Sequence, residues 1–472
     1  PPGTGGRPPE MDLSHLTGQM MPEEFLAQGM QAQVPPANWD WRQQGKVTSV
    51  KAQGDCGSCY AFAAIANIES KMLIDGAATL PNPDYSENNA KECNWRELND
   101  YGCPTNCRGS CDSGNYRMLA SLFSQKGVVL ESCDSYVASD VSCNAACPYQ
   151  KTLLDWRLIS GNVVPNTDVL KGYIQTYGPI QAAIYADSSQ GFNSSYDGSY
   201  TFNYWTPPAD LINHRVMIVG WSNNLPPVPG DTEPTDGWIV KNSWGPSWGD
   251  NGYFYITYGS ANIGMYSSFM YDWQDYDPNG GIMYYDDDCW SASWGWSPDT
   301  TAWGLVKYFP SSNTNITRVE FWTTDKTTDV DVYIYDNFDG TTLSNLLWSS
   351  LNHSFNEAGY HGVVVDPSLA VTGGNDIIAV IKFTNNSYGY PIPCDKNGSI
   401  ETGRTYKSHT GANGSWFDLG ENERDVAIRL RTSQGGTAPD ITVTPPSFNV
   451  SRPLNTTWNG TMTIDNTGNA PL

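Results

Sequence analysis

The stretch QGDCGSCYAFAAIANIESKML, residues 53–73, decides how the first half of this chain folds. It sets Cys59 at the first turn of a helical run in which Phe62, Ile65, Ala66 and Met72 share one face, and the run stops near Gly76. A helix N-terminus favours a thiolate, because its unsatisfied N–H groups and macrodipole stabilise negative charge. Cys59 is also the odd member of 11 cysteines. Ten can pair as five disulfides, which leaves one sulfur free.

Outward from this helix, residues 35–270 read as a mixed α+β unit with helices first and strands later. Helices are predicted at Tyr116–Gln125 and at Asp168–Thr176, the second capped by Asn166 or Thr167. Strands are predicted at Ile180–Ile184, Val216–Gly220, Trp238–Val240 and Gly252–Thr257. Residues 1–34 form an extension. PPGTGGRPPE gives no reason to fold, and SHLTGQMMPEEFLAQGM has room for one helical turn or two. Residues 271–434 lose the helical signal and read as an all-β sandwich. In DVDVYIYD, Val330, Val332 and Ile334 point one way while Asp331, Tyr333 and Tyr335 point the other. Residues 435–472 read as a linker and the start of an Ig-like β module, which normally needs roughly 100 residues, so the chain is expected to end inside a module.

Composition excludes whole classes of partner. Lys and Arg number 26 against 50 Asp and Glu, a net charge of −24. Such a surface repels polyanions, so no nucleic acid is expected. No window approaches the roughly 20 apolar residues of a membrane span. The chain opens at Pro1 without a signal-type hydrophobic region, so any export signal is expected to have gone. Abundant cysteine with 18 Trp and 27 Tyr points to an oxidising, secreted or cell-surface setting. Cys56 and Cys59 form a lone Cys-x-x-Cys spacing with no second pair to complete a zinc site, so neither a metal nor a cofactor is expected.

A cysteine nucleophile needs a base. Of five histidines only His214 lies in residues 35–270, which makes it the base by elimination if this unit does Cys-His chemistry. Asn242 is placed to accept the imidazole's second N–H and hold its tautomer. Gln53 and the backbone N–H of Cys59 can form an oxyanion hole.

Four blocks occur in order: WDWRQQGKVTSVKAQG, CGSCYAF, INHRVMIVGW, and VKNSWG with GDNGY. With them residues 35–270 resemble the papain family of cysteine peptidases, whose local signature is Cys-Gly-[Ser/Ala]-Cys-[Trp/Tyr]. The resemblance implies a two-subdomain fold, helical on the left with Cys59 and β-rich on the right with His214 and Asn242, and a cleft for an extended peptide. It implies Cys59 as nucleophile, His214 as base and later acid, Asn242 as orienter and Gln53 as oxyanion donor. Gly57, Ser58, Ser113 and Gly114 would line the substrate, and Trp244 would shield the His214–Asn242 contact. It also implies the disulfides Cys56–Cys111 and Cys93–Cys143. Cys103, Cys107, Cys133 and Cys147 stay unassigned. Cys289 and Cys394, alone in the β region, are expected to pair.

Departures carry information too. His214 and Asn242 lie farther from Cys59 than the roughly 130 to 150 residues of the signature, through insertions at residues 94–110 and in SNNLPPVPGDTEPTD. The first insertion stands where some members place an exopeptidase histidine loop and has no histidine, so an endopeptidase is expected. Arg215 replaces the small residue that usually follows the histidine, on the wall of the pocket for the second residue before the cut. It predicts an acidic or polar preference there, unless it turns aside into an ion pair.

The region 271–434 resembles the lectin-like module of bacterial and archaeal secreted peptidases, through YDWQDYDPNGG and DDDCWSASWGW. Exposed aromatics there could stack on a glycan or other cell-surface ligand, although such rings are more often core. Asp275, Asp277, Asn279, Gly280 and Asp286 approximate a calcium-loop spacing without flanking helices, and a junction turn ranks above it. Nine Asn-x-Ser/Thr sequences, eight of them past residue 300, are mostly what this composition gives by chance. Two functions follow. One is a secreted endopeptidase with attachment modules, whose extension is a short pro-segment or its remnant, expected to lie over the cleft. The other is an adhesin on a silent peptidase scaffold.

Overall fold

A computed structural model describes residues 4–27, 35–94, 109–187, 201–202, 205–209, 211–228, 231–434, 441–444 and 463–466. After a short helix α1 (Glu23–Ala27), the sequence folds through α2 (Cys59–Ile74), α3 (Glu87–Glu92), α4 (Tyr116–Gln125) and α5 (Thr167–Tyr177). Helix α2 is apolar on nearly every side and is buried along nearly its whole length. The Asn115 side chain accepts the Arg117 and Met118 amides to start α4, and Asn166 accepts the Asp168 amide to start α5.

The longer strands of this unit are β1 (Tyr149–Leu158), β2 (Ile180–Ile184), β3 (His214–Leu225), β4 (Thr235–Lys241), β5 (Tyr253–Thr257) and β6 (Met265–Asp275). They pair in the order β1-β6-β2-β3-β4-β5. The sheet does not stop there. β7 (Thr314–Thr323), β8 (Ala358–Val371) and β9 (Ile428–Gln434) belong to the second half, and β8 pairs with β1 through Ala358–Leu158 and Tyr360–Trp156. One continuous sheet therefore runs through both halves.

The second half is a β-sandwich. Its other layer contains the strands Thr301–Tyr308, Thr328–Phe338, Leu343–Phe355 and Ile377–Asn385. Val330, Val332 and Ile334 are buried between the layers while Asp331, Tyr333 and Tyr335 stay half-exposed, as the alternation requires. Strands Ile441–Thr444 and Thr463–Asn466 pair antiparallel; the rest of the expected Ig-like module lies outside the described residues.

The seam between the halves is aromatic and ionic. Tyr116, Trp156, Trp322 and Tyr360 form a chain of ring contacts with centroid separations of 5.1 to 5.9 Å. Around it Arg429 meets Asp286 at 2.7 Å, Arg431 meets Glu320 at 2.6 Å, and Arg117 meets Asp288 at 3.2 Å.

Cys56–Cys111, Cys93–Cys143 and Cys133–Cys147 are bonded, while Cys103 and Cys107 lie outside the described residues. The expected Cys289–Cys394 bridge is absent. Both thiols are free and buried: Cys289 lies 3.2 Å from Arg117 Nη1, and Cys394 faces the Ile392 carbonyl. A count of sulfurs cannot see which way each one points.

The extension departs from expectation as well. Leu13, Leu16 and Phe25 are buried in the body of the protein, so residues 4–27 are folded against it.

Candidate active site

Cys59 opens α2 with its thiol fully buried. Burial pushes that thiol up to about 11, against the pull of N–H groups from Arg215, Gly5 and Tyr60 that donate to the sulfur. Arg215 directly follows His214 at the start of β3, so this contact sets the histidine beside the cysteine.

Asn242 follows β4 and its side-chain Oδ1 lies 2.8 Å from His214 Nε2. The Ser243 amide donates to the same Oδ1 at 2.9 Å, which identifies that atom as the oxygen. Nε2 therefore carries the proton and Nδ1 keeps its lone pair. Nδ1 is buried and has no hydrogen-bond partner among the described residues. Burial lowers the His214 imidazole to about 4, although the Asn242 contact works the other way. Trp244 stacks on the imidazole at 4.9 Å, and Trp248 packs edge-on against Trp244.

Gln53 is fully buried. Its side-chain nitrogen donates to the Cys56 carbonyl at 2.7 Å, and its Oε1 accepts from Ser243 Oγ at 2.5 Å. Tyr136, unforeseen in the sequence, ties Ser58 Oγ and the Gln53 carbonyl together through its hydroxyl at 2.7 and 2.8 Å. Gly57 bonds the Cys111 carbonyl beside the disulfide, and Ser113 is buried next to Gly114.

The N-terminal extension lies over this cleft, as expected of a short pro-segment; which of its residues enter was not foreseen. The Gly114 amide donates to the Gly5 carbonyl at 2.8 Å, the Arg7 amide donates to the Gly114 carbonyl at 3.1 Å, and the Gly6 amide donates to the Asn213 carbonyl at 2.8 Å. A Cβ on Gly5 would stand 1.7 Å from the Gly57 carbonyl oxygen, and one on Gly6 would stand 2.6 Å from the His214 carbonyl carbon. Only glycine fits so close an approach. The Gly5-Gly6 pair between prolines was the available signal.

Among the described residues Arg215 forms no ion pair. It is buried, with its guanidinium 4.5 Å from the centre of the Tyr116 ring, Nη1 on the Tyr266 carbonyl and Nη2 on the Arg7 carbonyl, both at 3.2 Å. In the junction stretch whose spacing only approximates a calcium loop, Asp286 is committed to Arg429, Asp275 to Lys151, and Asp277 caps a turn with the Asn279 and Gly280 amides. Among the described residues no group of three or more His, Cys, Asp or Glu side chains could hold a metal ion.

The family described as "Papain family cysteine protease" matches residues 35–273, and "Lectin like domain" matches residues 282–432. Cysteine proteinase 1 of Entamoeba histolytica is 30% identical over 236 residues, 50% of this chain and 68% of that protein. Cathepsin F of Mus musculus is 29% identical over 232 residues, 49% of this chain and 44% of that protein. Among solved structures, the clostridial cysteine protease Cwp84 after propeptide cleavage is similar over 84% of this chain and 100% of that one, at a TM-score of 0.69 and 18% identity, which is a likeness of fold. The chain belongs to the papain family of cysteine proteases. It is a cysteine peptidase whose catalytic unit is followed by a lectin-like β-sandwich.

Proposed function

We propose that this chain is a secreted endopeptidase in which Cys59 attacks the peptide carbonyl and His214 Nδ1 takes the thiol proton. Asn242 holds the ring so that Nδ1 faces the sulfur. Gln53 and the Cys59 amide stabilise the tetrahedral oxyanion. His214 then returns its proton to the leaving amine, and water hydrolyses the thioester by the reverse assistance. The observation that carries this reading is the His214 ring, whose Nε2 is fixed on Asn242 while Nδ1 has no partner among the described residues. Three disulfides among the described residues support an oxidising compartment, and no helix there is long and apolar enough to cross a membrane.

Residues 4–27 act as a pro-segment. Burial under Gly5 and Gly6 disfavours both the thiolate and the imidazolium, so the covered pair stays neutral. The β-sandwich serves as an attachment module. Half-exposed Trp303, Tyr333, Tyr335 and Tyr406 on its outer layer offer ring faces to a glycan.

The test is covalent labelling of Cys59 by an epoxysuccinyl inhibitor. Wild type labels slowly, Cys59→Ala does not label, and Gly6→Val labels faster because the valine cannot fit against His214. A Gly6→Val protein that labels no faster than wild type removes the pro-segment, and labelling that survives Cys59→Ala removes the nucleophile.

A further inference from the structure

We infer that the subsite facing Gly114 takes a substrate side chain bearing a carboxylate, and that Arg215 is the residue that selects it. The inference rests on the peptidase reading above and names its substrate class.

A buried guanidinium is costly unless an anion compensates it. Arg215 is 1% exposed and, among the described residues, has no carboxylate partner. Its two hydrogen bonds go to neutral carbonyls, and its Nε is buried without a partner. The Tyr116 hydroxyl beside it is also buried and unpartnered. These are two donors with no acceptor.

The position says what could supply one. One of the two carbonyls belongs to Arg7, in the segment whose backbone is bonded to Gly114. Removing that segment takes away the Arg7 carbonyl and bares the guanidinium to whatever next pairs with Gly114. The Arg215 main chain also donates to the Cys59 sulfur, so the same residue touches the nucleophile and floors the adjoining subsite. A Glu or Asp side chain entering there converts a neutral contact into a charge-assisted one, which the guanidinium fork can make bidentate, and gives Nε an acceptor. An apolar side chain would leave it unsatisfied.

The experiment uses the full chain, incubated until active, with sites counted by the epoxysuccinyl label. Peptides differing only in Glu, Gln or Leu at the second residue before the cut are compared by kcat/KM. Wild type is expected to favour Glu over Gln at least about tenfold at neutral pH. That ratio should fall toward one as the substrate carboxyl protonates below about pH 4.3. Arg215→Gln should abolish the Glu preference, and Arg215→Lys should keep part of it. Melting curves confirm that each variant is folded, and Arg215→Lys carries the test if the neutral variant is not.

A wild-type preference for Leu overturns the inference while leaving the peptidase intact. So does an Arg215→Gln enzyme that keeps its Glu preference and only shifts the pH at which Cys59 labels, since Arg215 would then tune the thiol. Absence of both labelling and cleavage overturns the peptidase reading, and this inference with it.

Discussion

The cleft and the domain seam both bury ionisable groups, and they treat them in opposite ways. At the seam each buried cation has a carboxylate: Arg429 has Asp286, Arg117 has Asp288, and Arg431 has Glu320. Burial pushes the Glu320 carboxyl up, but Arg431 and Arg318 pull it below its ordinary value, so it stays charged in place. In the cleft, Cys59, His214 and Arg215 are as deeply buried, and among the described residues no carboxylate pairs with His214 or Arg215. Of the seam pairs Arg117–Asp288 joins the two halves directly, while Arg429 and Arg431 reach the first half through Ser121 and Ser124. The groups of the cleft lie beneath a lid, the chain's own residues 4–7.

The largest effect expected from this contrast is at the seam. Glu320→Gln keeps the volume and removes the charge, leaving Arg431 and Arg318 without their carboxylate. Breaking a buried pair in this way costs about 3–5 kcal/mol. Urea unfolding should show a loss of that size, with both halves failing together because one sheet joins them. Loss of the β-sandwich alone, with α2 and β3 intact, would mean that the shared sheet does not couple them.

Acid should separate the two regions by pH window. Burial holds His214 down to about 4, against an ordinary value near 6.5, so the covered state binds fewer protons than the open one across that interval. The lid's hold is therefore full above about pH 6.5 and weakens as pH falls toward 4. Glu320 is depressed, so its contribution is full above the ordinary carboxylate value near 4.3 and is lost only as pH falls through its folded value. Hydrogen exchange at the Gly6 and Gly114 amides should accelerate between pH 6.5 and 4.5, after correction for intrinsic rates, while seam amides stay protected. Simultaneous loss of protection in both places would erase the distinction.

The two regions also differed in how far the sequence could be read. Cys59, Gln53, His214 and Asn242 sit in short blocks whose residue types carry their own chemistry, and the helix at Tyr116–Gln125 and the strand at Ile180–Ile184 follow from local pattern. That the extension covers the cleft was expected of a short pro-segment, but which residues do so was not legible, because nothing local about PPGTGGRPPE distinguishes a loose tail from a strand filler. What makes it fit is the absence of a Cβ at two positions facing a distant backbone. The joining of β1 to β8 brings Trp156 to Tyr360, a contact between residues far apart in the chain. Parity picked Cys59 as a free thiol while counting Cys289 and Cys394 as a bridge, so its arithmetic was incomplete where its choice held.

The smallest effect tests whether the seam's half of the molecule helps to hold the lid. His15 stacks on Tyr388 at 3.7 Å and its Nε2 donates to the Thr324 carbonyl at 2.7 Å, while Lys326 Nζ donates to the Thr17 carbonyl at 2.6 Å. All three partners belong to the β-sandwich, so the segment crosses from the cleft to the second half. Losing one ring stack and one hydrogen bond costs about 1–3 kcal/mol. His15→Ala should therefore raise the open fraction about tenfold or somewhat more, read as faster labelling of Cys59 at pH 7, with the melting temperature little changed. The ring's contacts are with Tyr388 and Thr324 of the β-sandwich, and His15 is not among the groups that act on the Cys59 thiol. Labelling at the wild-type rate would mean that Gly5 and Gly6 hold the lid alone. The lectin-like half would then have no share in keeping the peptidase closed.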